Sequence, residues 1–101
     1  MRVEGKLPTV TAIVLIQVEP GTVGPTAEGL AALSGIAEVY SVAGEWDLVA
    51  ILRVARNEDL ADLVTSSLAT VPGVIATETL IAFRAYSRHD LERIFSIGME
   101  S

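Results

Sequence analysis

The sequence predicts an α+β fold in which four strands and two helices follow one another in the order βαββαβ. Three observations carry that prediction. Three runs of strand length are rich in β-branched residues, two intervening stretches repeat apolar residues at helical spacing, and the halves of the chain echo each other, "LSGIAEVYSV" in the first and "TVPGVIATETL" in the second.

Residues 10–18, "VTAIVLIQV", are β-branched and close on "EPG", which reads as the first strand and its turn. From about Thr22 to Ser34 a helix is expected: Thr22 is a candidate cap, Pro25 fits a first turn, and Ala27, Leu30 and Ala31 recur on one side, with Gly35 as the stop. Ile36 to Ala43 and Asp47 to Ala55 read as two strands joined by the short "GEWD" loop, a hairpin. Asn57 offers a second cap, with Glu58 and Asp59 in the first turn where the helix dipole favours acids. Leu60, Leu63, Val64, Leu68 and Val71 then form an apolar stripe that "PG" at 72–73 ends. Val74 to Tyr86 reads as a long last strand.

Right-handed crossovers in two such split βαβ units put both helices on one face of a four-stranded antiparallel sheet, the ferredoxin-like arrangement. The strands themselves are apolar on both sides. Val10, Ala12, Val14, Ile16 and Val18 share one face of the first strand, yet Ile13 and Leu15 lie on the other; Leu48, Ala50, Leu52 and Val54 are likewise set against Val49 and Ile51. A sheet covered by helices on one side only should be polar on the other, so the second face calls for a partner, and sheet-on-sheet pairing of two copies is the simplest one. No stacking aromatics of an RNA-binding sheet stand on these central strands.

At 101 residues the chain has the length of one domain, with its core over 10–86 and a short C-terminal helix over 87–98. In that tail Ser87 and Asp90 have capping-box-like spacing, and Leu91, Ile94 and Phe95 share a face. Half of the residues are hydrophobic and cysteine is absent, which leaves no disulfide framework and no thiolate nucleophile and suits a cytoplasmic protein. The longest apolar run, Ala12 to Ile16, is far below the roughly 20 residues that cross a bilayer. A net charge of −6 opposes phosphate-backbone binding, and Arg84, Arg88 and Arg93 are too dispersed to make a patch. The single histidine, His89, is expected on a solvent-facing first turn. Neither a metal-spaced cluster nor a phosphate-cradling loop is present, so no enzyme, metal or cofactor is expected.

Two features are left. Thr77 and Thr79 are two apart on a strand and share a face with Ile75, Ile81 and Phe83, although Thr is also simply a good strand former. In the "GEWD" loop Gly44 suits a positive φ, Asp47 suits the turn and Trp46 suits an interface. Combined, they meet the needs of a free amino acid: Asp47 accepts from the ammonium, Thr hydroxyls and loop N–H groups donate to the carboxylate, and Trp46 walls the side chain. On this reading Asp47→Ala abolishes binding with little loss of fold.

The first strand leading into "VEPG", the run "GIAEVYSVAGEWDLVAILRV" and "VPGVIATETLIAF" resemble the effector-binding (RAM) domain of the Lrp/AsnC regulators over Val10 to Tyr86. The combination of "VYSVAGEWD" with "PGV" and "TET" is the specific part of the likeness. The resemblance implies dimers formed through the sheets, assembly into higher oligomers such as octamers, and amino-acid effectors held between dimers near Gly44, Glu45, Trp46 and Asp47, with hydroxyls from Thr77 and Thr79. Trp46 stands where that family more usually has tyrosine. About nine residues precede the first strand, so the family's helix-turn-helix has no counterpart; the expectation is a stand-alone module that modulates transcription without touching DNA, by ligand-responsive assembly or by co-assembly with full-length relatives. The competing expectations are an interaction protein with no effector and, further off, a small dimeric ferredoxin-like enzyme.

Overall fold

The computed structural model describes residues 9–86 and 88. The expected tail helix, Arg88 apart, and His89 with it lie outside them. Strands β1 (Val10–Val18), β2 (Ile36–Ser41), β3 (Leu48–Val54) and β4 (Val74–Ile81) form one antiparallel sheet in the order β2-β3-β1-β4. Helix α1 (Val23–Ala31) joins β1 to β2, and helix α2 (Asn57–Asp62), continued by further helical turns to Thr70, joins β3 to β4. This is the ferredoxin-like arrangement that the element order predicted. None of the described helices is long and apolar enough to cross a membrane.

The period-2 pattern of the strands becomes two faces. Ala12, Val14, Ile16 and Val18 of β1 and Leu48, Ala50 and Leu52 of β3 are buried against Leu30 of α1 and Leu60, Leu63 and Leu68 of the second helical segment. The opposite face carries Ile13, Leu15, Val49 and Ile51, all half-buried, with Tyr40 and Leu80 exposed. No element of the described chain covers it.

Several boundaries depart from the sequence reading, each for a local reason. The last strand stops at Ile81 instead of Tyr86: its ladder with β1 ends at the Ala12–Ile81 pair, followed by one further bond from the Ala82 N–H to the Thr11 carbonyl at 2.9 Å. The hairpin strands end at Ser41 and begin at Leu48. In α1 the buried residues are Thr26 and Leu30, with Ala27 half-buried, whereas Ala31 is exposed and Leu33, just past the helix, is half-buried. Thr22 does precede α1, but its hydroxyl donates to the Glu19 carbonyl at 2.7 Å and closes the "EPG" turn instead of capping the helix. Arg56, in extended conformation, precedes α2 in place of Asn57 and pairs with Asp59 at 3.1 Å.

The second helical segment changes pitch. After α2 comes a π-helical turn over Leu63–Ser67 and a tight 3-10 turn over Leu68–Thr70. Leu63 and Leu68 are five residues apart, a spacing that an α-helix places on different sides. The wider π turn keeps both on the core face. There the Thr65 hydroxyl donates back to the Ala61 carbonyl at 2.7 Å, the side-chain back-bonding that loosens regular helices.

The two halves close in the same way. Gly35 and Gly73 both have φ +96°; the Gly35 carbonyl accepts from Arg53 N–H at 2.9 Å and the Gly73 carbonyl from Glu19 N–H at 2.8 Å, so each helix exit is pinned to the end of a strand from the other half. Beside Gly73, the Thr26 hydroxyl, 2% exposed, donates to the Pro72 carbonyl at 3.0 Å. Thr26→Val conserves the shape and leaves that carbonyl unpaired, an expected loss of ~1–2 kcal/mol in denaturant unfolding. An unchanged midpoint would show that water replaces the hydroxyl at no cost.

Candidate functional site

The hairpin between β2 and β3 is six residues long, and Asp47 organises it. Its carbonyl accepts from Val42 N–H at 3.0 Å, its own N–H donates to the Ile16 carbonyl at 3.0 Å, and its carboxylate Oδ2 accepts from Val18 N–H at 2.9 Å. Strand β3 begins at Leu48, opposite Ile16, so no β3 backbone acceptor faces the Val18 N–H. The Asp47 carboxylate stands in for it and extends the ladder by one rung. Only Oδ2 is engaged; Oδ1 has no hydrogen-bond partner in the described chain.

Gly44 has φ +127° with open space where a Cβ would point, Glu45 is exposed, and Trp46 and Asp47 are half-buried. The loop therefore presents backbone and side-chain groups to the outside while Asp47 ties its root to β1.

Thr77 and Thr79 pair with Ile16 and Val14, which places both on the helix-covered face, as the pairing places Ile81. Both threonines are half-buried, and neither hydroxyl has a partner within the described chain. The expectation that Ile75 continues this row is corrected by a β-bulge. Val18 pairs with Val74 and Gln17 with Ala76, so Ile75 is an extra, unpaired residue, 57% exposed. Phe83 lies beyond the strand and is fully exposed.

The predicted residues thus gather at one end of the sheet and line neither of the two clefts described below. Asp47 bonds to one edge of β1 and Thr77 pairs with its other edge, so their backbones stand two strand spacings apart, about 9–10 Å.

Two clefts lie elsewhere. One, of about 450 Å³, runs beside Ser34, Asp59, Asp62 and Ser67. The other, of about 610 Å³, lies at the far end of the open sheet face over Ile13 and Ile51, bounded by Glu38, Tyr40, Arg53 and Arg84. Its polar rim escaped the sequence reading, although the signal was present: Arg53 is the one charge in "LVAILRV" and falls on the same face as Val49 and Ile51. Hydrogen bonding to Glu38, and the negative charge of that carboxylate, hold the exposed Tyr40 phenol above its ordinary pKa, and Arg53 acts in the opposite direction. No group of three His, Cys, Asp or Glu side chains among the described residues could hold a metal ion.

Comparison with known proteins gives a consistent outcome. A family model described as the Lrp/AsnC ligand binding domain matches residues 11–91. The chain is similar to an uncharacterized HTH-type transcriptional regulator of Pyrococcus furiosus, 38% identical over 76 residues that make up 72% of this chain and 51% of that protein. It spans about half the length of the curated relatives it matches. Among solved structures it is similar to TTHA0845 of Thermus thermophilus, at 48% identity and a TM-score of 0.73, covering 78% of this chain and 99% of that one. A Neisseria meningitidis transcriptional regulator, NMB0573, solved as a complex with L-Met, shares the fold at a TM-score of 0.67 and 11% identity, over 78% of this chain and 53% of its own.

Proposed function

The chain belongs to the Lrp/AsnC ligand-binding domain family, and from that premise we propose that it is a small oligomeric amino-acid-binding module that modulates transcription through ligand-responsive assembly. The observation that carries this reading is the family match over residues 11–91, which takes in all of the sheet but Val10, together with the hairpin and both threonines. It is supported by relatives named as transcriptional regulators.

In this reading a second copy covers the open apolar face, and further copies bring a hairpin up to the Thr77 and Thr79 row of a neighbour, giving a higher oligomer such as an octamer. Free Oδ1 of Asp47 accepts from the ammonium of the effector, the two unpartnered hydroxyls and loop N–H groups donate to its carboxylate, and Trp46 walls its side chain. Co-assembly with full-length relatives would carry the response to DNA, which the module itself does not contact.

Isothermal titration against the standard amino acids tests the binding, beginning with L-methionine because the Neisseria regulator of the same fold holds it. Heat from at least one of them is expected. Silence from all of them, from a protein that is folded and oligomeric, would leave an assembly module without an effector.

A further inference from the structure

The cleft at the far end of the open sheet face collects positive charge. Of its lining side chains Arg53, Arg84 and Glu38 are charged, which leaves a net positive charge there in a chain whose total is −6. Arg53 comes from β3, where it pairs with Thr11 of β1. Arg84 comes from the other side: the bond from the Ala82 N–H to the Thr11 carbonyl ties the chain beyond β4 to β1 and brings Phe83 and Arg84 to the cleft. Neither guanidinium has an ion pair or a hydrogen bond among the described residues.

Two like charges over one hollow repel each other unless an anion lies between them, and each is a planar fork of N–H donors that matches a carboxylate. The acid of the cleft does not fill that role. Glu38 pairs with neither arginine, and its carboxylate accepts from the Tyr40 phenol two residues along β2. The floor is apolar, with Ile13 and Ile51 half-buried and Phe83 exposed beside them. At about 610 Å³ the cleft has the size of a small-molecule site, in which apolar side chains take the body of the ligand and a few polar groups orient it.

We propose that this cleft is a second ligand site, for a small monocarboxylate with an apolar body. Arg53 and Arg84 hold the carboxylate, the Thr11 hydroxyl donates to it from between them, and Ile13, Ile51 and Phe83 take the apolar part. The charges select against two related classes of ligand. A zwitterionic amino acid gains little from a net positive site and brings its ammonium toward two guanidiniums, and a dianion is opposed by Glu38. Thr11 lies five residues along β1 from Ile16, whose carbonyl accepts from the Asp47 N–H, so this site is about 17 Å from the hairpin end and stands apart from the amino-acid reading.

Titration calorimetry of the full chain with phenylacetate, benzoate and isovalerate tests the proposal, with phenylalanine and phenylethanol as the zwitterionic and uncharged counterparts. Saturable binding of at least one carboxylate is expected, weakened by sodium chloride. Arg53→Gln and Arg84→Gln change exposed positions and should melt and sediment as the wild type does. Each is expected to weaken carboxylate binding by about tenfold or more, as loss of a charge-assisted hydrogen bond implies, and the double variant to remove it. Glu38→Gln tightens it. Any heat from phenylalanine is unaltered by the arginine changes. Silence from all three carboxylates at millimolar concentration, with the protein folded, would overturn the site, as would binding that survives in the folded double variant. Loss of binding together with altered sedimentation would assign the two arginines to a contact between copies and overturn it too.

Discussion

Replacing Gly73 with alanine is expected to lower the stability of the domain by ~2–4 kcal/mol, a fall in melting temperature on the order of 10 °C or more at fixed protein concentration. Two causes add. At φ +96° an L side chain sits in the left-handed region, which costs roughly 1–2 kcal/mol. A Cβ there would also come within 2.1 Å of the Thr26 hydroxyl and 3.0 Å of the Thr22 hydroxyl. Thr26 is fully packed and bound to the Pro72 carbonyl, so it has no space into which to retreat. The same peptide accepts from Glu19 N–H, so the strain reaches both the end of β1 and the start of β4. Gly21, at φ +82° with nothing within 4 Å of its Cβ position, is the control: Gly21→Ala should cost only the roughly 1–2 kcal/mol of the left-handed conformation. A Gly73→Ala melting temperature within about 2 °C of the parent would mean that the Thr26 contact relaxes freely.

At Asp47 two substitutions should separate two roles. Asp47→Ala removes the acceptor of Val18 N–H in a partly buried position, an expected loss of ~1–3 kcal/mol together with any amino-acid binding. That corrects the sequence-based expectation of a fold left nearly intact. Asp47→Asn keeps an oxygen for Val18 and should melt within a few degrees of the parent, yet it carries no charge for an ammonium group. On the proposed function its amino-acid affinity falls by about tenfold or more, as loss of a charge-assisted hydrogen bond worth roughly 1.5–3 kcal/mol implies. Titration calorimetry beside thermal melting reads both quantities. Parent-like binding by the Asn variant would restrict Asp47 to holding the hairpin root.

What is legible in the sequence, and what is not, divides at the range of the interactions concerned. The two faces of β1 and β3 follow from strict alternation, and the apolar stripe from Leu60 onward marks a helix, because strand and helix periodicities act between near neighbours. The pitch change at Leu63 is not legible in the sequence, because Leu60, Leu63, Val64, Leu68 and Val71 read as one α-helical stripe and only packing against the sheet sets the wider turn. Arg53 is visible as the lone charge in its strand, yet the cleft it borders is completed by Glu38 and Tyr40 on another strand.

The sequence by itself determined the order of elements, the double-sided apolar sheet and the likeness that places the chain in its family. These rest on local propensity, side-chain period and motif, and each is complete within a short stretch. Only the tertiary structure decided that the Asp47 carboxylate completes a ladder at Val18, that Ile75 is bulged out of register, that Ala31 is exposed while Thr26 is buried, and that Arg53 borders a cleft with Glu38, Tyr40 and Arg84. Each of those depends on strand register and on which donors lack a backbone partner, quantities set when distant segments pair and invisible in any one segment alone.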